Sequence, residues 1–123
     1  MNFKDIQVGD LVIFDNPLLG EDVTVCSSII DSYKYPITSA GRKMYMKDRK
    51  PVYADEMGET GNEMIKEYHF MSNQVGDYTF REDDDPTTWN MKKIDKSHPK
   101  WDDNLSKSGT QFNSMLSMFD KFF

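Results

Sequence analysis

Short apolar and β-branched runs, each closed off by turn residues, fill the first half of the chain and leave little choice of fold class. Leu11–Phe14 (LVIF) follows the turn pair Gly9-Asp10 and is ended by Asn16-Pro17. A continuous apolar run of that length between turn signals is the pattern of a buried strand. Pro17–Asp22 reads as a loop, and Val23–Ile30 (VTVCSSII) as a second, β-branched strand. Ile37–Ser39 runs into the tight turn Ala40-Gly41, and Arg42–Lys47 (RKMYMK) is the return strand. Along it Met44 and Met46 fall on one face and Lys43, Tyr45 and Lys47 on the other. A turn at residues 48–50 leads to a last short strand over 52–54. Strands of four to eight residues joined by short turns point to a mainly β chain folded as a small antiparallel barrel.

The second half is more polar. Residues 55–62 (DEMGETGN) form an acidic connector, and residues 66–72 and 78–81 are expected to pair as a hairpin, although Met64, Tyr68 and Met71 also suit a helix. Residues 81–86 (REDDDP) are an acidic turn. Trp89 and Met91 are candidates to cover one end of the core, and residues 95–107 read as a polar linker with Trp101 and Leu105 as docking points. Hydrophobic residues make up only 37% of the chain while aromatics reach 13%, so the core should be small and built largely from rings.

The end of the chain changes period. Phe112, Met115, Leu116, Phe119, Phe122 and Phe123 recur at helical spacing, with Met118 at the border of that stripe. Ser108 followed by Gln111 fits a capping box, and Thr110 is a competing N-cap. The expected layout is therefore a barrel core over 1–55 and an acidic extension with a hairpin over 56–94. A linker over 95–107 and an amphipathic helix over 108–123 complete it. A helix this short needs a surface, either its own domain or a partner.

Two resemblances bear on what such a chain does. IQVGDLVIF, then a β-branched strand, then ITSAGRKMYMKDRKPV resembles the small SH3-like barrels, KOW-like in character, that are common in phage proteins. The likeness covers residues 4–55. Lys50-Pro51 stands where those barrels often carry a glycine-containing turn. Met115–Phe119 (MLSMF) resembles the bacterial sliding-clamp motif, and Ser114–Phe123 is similar to the C-terminal clamp-binding peptides of phage polymerases and late-transcription factors. The resemblance implies that Leu116, Met118 and Phe119 fill pockets, with Asp120, Phe122 and Phe123 alongside. Met115 replaces the motif's glutamine.

Chemistry is sparse. His69 and His98 lie in different segments, Cys26 sits in a strand, and no ligand pair has zinc-like spacing. Glu82–Asp85 lacks the alternation and distal glutamate of a calcium loop. Phosphate-binding glycine motifs do not occur. No enzyme is expected, and no cofactor or metal. One cysteine and the lack of any signal or membrane-span pattern suggest a cytoplasmic protein that contacts no membrane.

Two charged surfaces remain. Arg42, Lys43, Lys47, Arg49 and Lys50 set five cations within nine residues around Tyr45. They could meet phosphates, with Tyr45 stacking on a base, or an acidic protein; the plain alternative is an exposed charged hairpin. A net charge of −6 weighs against nucleic acid. The acids of residues 55–103 could instead imitate DNA phosphates and inhibit a host nucleic-acid-binding or defence protein. The leading expectation is an accessory protein docking its terminal helix on a replication or transcription machine, a sliding clamp or polymerase. A small virion component is a third reading.

Overall fold

The computed structural model describes residues 1–110. The chain is mainly β, with two antiparallel sheets and a helix near its C-terminal end. Its strands are β1 (Leu11–Asn16), β2 (Gly20–Tyr33), β3 (Ile37–Ser39), β4 (Arg42–Lys47), β5 (Lys50–Tyr53), β6 (Met64–Ser72), β7 (Gly76–Arg81) and β8 (Lys92–Ile94). Short 3-10 turns occupy Phe3–Asp5 and Asp55–Met57. Helix α1 begins at residue 103 and is described through residue 110. Packing groups the chain into two units, one of Met1–Ile29 with the chain from Tyr68 onward, the other Ile30–Glu67.

The first unit is built around β1. In the sheet order β7-β6-β2-β1-β8, β1 lies between β2 and β8, pairing Leu11 with Val25 on one side and with Ile94 on the other. Alternate side chains of β1 enter two different clusters. Val12 and Phe14 join Phe3, Tyr68, Phe70, Tyr78 and Met91, while Leu11 and Ile13 join Val25, Ile94 and Leu105. A strand buried on both faces has no reason to alternate polar with apolar, which is the physical content of the LVIF run. Phe14 sits at the centre of the first cluster, edge-on to Phe70, Tyr78 and Phe80 at centroid distances of 5.1–5.3 Å. Trp89 closes that cluster against Phe14, Tyr78 and Phe80.

Helix α1 covers the other face, and it starts earlier than the capping residues at 108 and 110 suggested. The Asp102 carboxylate accepts the Leu105 amide at 3.0 Å, which is the N-cap bond, so Ser108 and Thr110 come after the helix start rather than at it. The same stretch supplies buried Leu105, so residues 95–107 dock where the expected linker had an anchor. Three of those linker-side expectations do hold locally: Met91 is buried, and Trp101 and Leu105 belong to the second cluster. The expected loop at Pro17–Asp22 is also shorter. β2 begins at Gly20, whose φ of +79 closes the β1–β2 hairpin.

In the second unit β3, β4 and β5 form a three-stranded meander joined by two two-residue turns. Both turns place their central residues at positive φ, Ala40 and Gly41 in one, Asp48 and Arg49 in the other. That geometry matches the right-handed twist of paired strands. The register sets Ile37 and Tyr53 on either side of Met44, and Pro51 beside Met46, so these five share one face.

Candidate functional site

The β4–β5 hairpin gathers the cations that the sequence singled out, and the fold sorts them into two groups. Arg42, at the start of β4, is pinned. Its guanidinium donates to both carboxylate oxygens of Asp55 at 2.6 and 2.7 Å and to Glu56 at 3.2 Å, and it lies 3.7 Å over the Tyr53 ring. The forked contact lowers the Asp55 pKa below the ordinary carboxylate range and raises that of Arg42 further. Lys43 is engaged as well. Its aliphatic stem packs over Gly61, where a Cβ would come within 2.7 Å, and its ammonium donates to Gly61 O and Asn62 Oδ1. Tyr45 is half-buried against Tyr35, ring centroids 5.6 Å apart. Arg42 and Lys43 of the five cations are thus engaged by groups of the same unit.

Lys47, Arg49 and Lys50 form the second group, at the hairpin tip. They are exposed, and none of their side chains makes a hydrogen bond or ion pair among the described residues. Lys47 and Lys50 face one another directly in the register, a like-charge arrangement that costs a little stability. Arg49 holds φ +64, a region that residues carrying a Cβ rarely occupy. Next to the tip, Met46 is 50% exposed and Ile37 42% exposed. Sequence reasoning placed Met46 on the same face as Met44. The alternation in RKMYMK was the correct signal, but only Met44 is buried.

The acidic surface is also reassigned, because most of its carboxylates are occupied by local structure. Glu59 accepts from Lys34 Nζ at 2.6 Å and Tyr35 Oη at 2.8 Å, and those two bonds hold its pKa down. Glu63 closes the turn at Thr60 and Gly61. Asp83 pairs with Arg81, Asp84 accepts the Arg81 amide, and Asp85 accepts from Thr87. Asp95 caps Ser97, Asp102 caps α1, and Asp103 pairs with Lys107. These are turn and cap geometries rather than a regular row of free charges.

The titratable groups that could do chemistry have separate surroundings. Cys26 is fully buried in the aromatic cluster, and its thiol is pushed up to about 12, chiefly by burial and then by Asp10. His69 faces Asp77 at 3.6 Å and Thr79, whereas His98 accepts the Lys100 amide. Among the described residues no group of three or more His, Cys, Asp or Glu could hold a metal ion, and no helix is long and apolar enough to cross a membrane.

The remaining predicted site residues, Phe112, Met115, Leu116, Met118, Phe119, Phe122 and Phe123, lie outside the described residues. What the fold does show is the mooring just before them. Ser106 Oγ donates to Gly9 O at 2.7 Å. Gly109 packs so closely that a Cβ there would lie 2.5 Å from Val25 Cγ2. Gly9 itself, at φ +94, leaves no room for a Cβ beneath Thr110. Comparison with protein-family models, with curated proteins and with solved structures finds no match to this chain.

Proposed function

We propose that this is a non-enzymatic accessory interaction protein that docks through its C-terminal apolar segment on a larger replication or transcription machine, with a sliding clamp the favoured partner. The observation that carries the reading is the mooring of α1. Asp102 caps it, Leu105 is buried, Ser106 bonds to Gly9, and Gly109 fits against Val25. The chain is thus fixed against the first unit through Gly109, three residues before the apolar segment begins. A short plug starting from a fixed point brings few rotatable bonds to a partner's groove, which keeps its ordering cost low. Leu116, Met118 and Phe119 are the pocket-filling side chains, with Phe122 and Phe123 alongside.

The scaffold in this reading is an SH3-like barrel of the phage type, acting in the host cytoplasm. Support comes from the β1–β2 hairpin that follows Gly9-Asp10 and from the basic strand β4. Inhibition by DNA mimicry is less well supported, since so many carboxylates are held in turns, caps and ion pairs.

Full-length protein and its Phe119→Ala variant, titrated against a purified sliding clamp by calorimetry, test the reading. Binding should be lost in the variant while its thermal midpoint stays within about 1 °C of the parent, as expected for a contact outside the fold. Equal binding by the two proteins would refute the assignment. A midpoint several degrees lower would place Phe119 in the protein's own core instead.

A further inference from the structure

The second unit, Ile30–Glu67, holds seven cations and seven acids, so the net charge of −6 belongs to the rest of the chain. Its cations are not evenly spread. Lys34 is taken up by Glu59, Arg42 by Asp55 with Glu56, and Lys66 by Asp31. The register puts Lys43, Lys47 and Lys50 on one face of the β3–β4–β5 sheet with Thr38, Tyr45 and Val52, opposite the face of Arg42, Met44 and Met46. Lys43 donates to neutral oxygens, those of Gly61 and Asn62, so its charge is uncompensated. Lys47 and Lys50 are exposed at the other end of that face, and Arg49 stands in the turn between them. None of these three side chains forms an ion pair among the described residues. Asp48 is the one acid in the turn.

That arrangement costs the hairpin some stability. Lys47 directly faces Lys50, and Arg49 occupies a backbone conformation that suits glycine or asparagine. Neither feature does anything for the fold, and departures of this kind concentrate where a molecule binds. The apolar content of the face decides what kind of molecule. Thr38 is polar, and Tyr45 and Val52 are half-buried within the unit, so the face lacks the exposed aromatic or aliphatic anchor that carries a protein–protein contact. A contact made by charge alone gains most from a dense, regular row of anions. Each phosphate of a nucleic acid that is neutralised by a lysine or arginine releases a condensed counterion.

We propose that the tip and lysine face of the β4–β5 hairpin bind the phosphodiester backbone of a nucleic-acid duplex, without regard to base sequence. Lys47, Arg49 and Lys50 each neutralise one phosphate, and Lys43 adds to the field from the far end of β4. A duplex fits better than a single strand, which gains much of its hold from bases stacked on open rings. Tyr45 is turned to Tyr35, Tyr53 lies under the Arg42 guanidinium, and exposed Tyr33 is beside Lys43, away from the tip. This contact is independent of the C-terminal segment, and either assignment survives failure of the other.

The test uses full-length protein and fluorescence anisotropy with a labelled DNA duplex, a second duplex of shuffled sequence and an oligothymidine. Unlabelled duplex and polyglutamate serve as competitors. The two duplexes should bind equally and the oligothymidine more weakly. Three phosphate contacts predict a slope of about −2.7 in log K against log salt, so doubling the salt should weaken binding about sixfold. Lys47→Gln, Lys50→Gln and Arg49→Gly should each reduce that slope by about 0.9. The fold is not at risk in these variants: the lysine changes relieve a like-charge opposition, and glycine suits the turn. Lys92→Gln, in the first unit, and Phe119→Ala should leave slope and affinity unchanged. A slope that the three hairpin variants leave untouched overturns the proposal. So does a preference between the two duplexes, tighter binding of oligothymidine, or no measurable binding at low salt. Stronger competition by polyglutamate than by duplex at equal charge overturns it in favour of an acidic protein.

Discussion

Arg49→Gly should stabilise the β4–β5 hairpin, and the size of the gain follows from the turn. Lys47 and Lys50 are paired across a two-residue connection in which Asp48 has φ +50 and Arg49 φ +64. Asp-Gly is the preferred filling of such a turn, because the second position lies where a Cβ crowds the following carbonyl. Holding an ordinary L-residue there costs about 1–2 kcal/mol. Glycine removes that strain but gives the unfolded chain more freedom, an opposing term of roughly 0.4–1 kcal/mol. The strain term wins, leaving a net gain on the order of 0.5–1 kcal/mol. Arg49→Ala separates backbone from charge: it deletes the cation but keeps the strain, so its stability should stay within about 0.5 kcal/mol of the parent. Trp89 and Trp101 lie in the other unit, so hydrogen exchange at the facing residues Tyr45 and Val52 is the better readout. Exchange there should slow by about two- to fivefold in the glycine variant and hardly change in the alanine variant. Equal protection in the two variants, or faster exchange in the glycine variant, would show that the turn is not strained at Arg49.

Further perturbations probe the other contacts. Gly109→Ala should destabilise by roughly 1–3 kcal/mol in urea unfolding, since the Cβ would meet Val25 Cγ2 at 2.5 Å and overpacking outweighs the ~1 kcal/mol of helix propensity gained. Phe14→Ala should cost about 3–5 kcal/mol, because it empties the centre of a ring cluster; a loss below ~1 kcal/mol would contradict that packing. The Cys26 thiol, buried and raised to about 12, should fail to react with a disulfide reagent at pH 8 until denaturant is added; rapid labelling of native protein would refute its burial. Glu59 has a folded pKa lowered by Lys34 and Tyr35, so its contribution is complete above the unfolded carboxylate value and is lost as pH falls through the lowered folded one. Glu59→Gln should therefore flatten part of the acid limb of the stability profile while leaving the neutral-to-alkaline limb unaltered in shape.

What could be read in the sequence was whatever one strand encodes by itself. LVIF announces burial on both faces, and RKMYMK announces an alternating strand whose bounds coincide with β4. The hairpin of β6 and β7 was legible from two runs separated by a turn. β8 was not, because Lys92 and Lys93 have no strand signature; they become a strand by lying against Val12 and Ile13 of β1. The start of α1 was missed for a similar reason. Asp102, Ser108 and Thr110 are all good capping types, and what selects Asp102 is the fit of Leu105, Ser106 and Gly109 to a sheet far away in sequence. Several acids did carry a local signal. Asp85 with Thr87, and Asp95 with Ser97, are carboxylates two residues before a hydroxyl, the spacing of a side-chain-closed turn.

The basic patch shows why a site is harder to read than a strand. Sequence proximity makes Arg42 and Arg49 equivalent members of one cluster. The fold distinguishes them by what β5 and the following 3-10 turn bring back: Asp55 and Glu56 return beside Arg42, while nothing described returns beside Arg49. Charge that is available to a partner is what remains after the fold has taken its own pairs, and that remainder depends on register. At the hairpin tip it includes Lys47, Arg49 and Lys50, and the register turns Lys47 and Lys50, with Tyr45 and Val52, to the face opposite Met46 and Ile37.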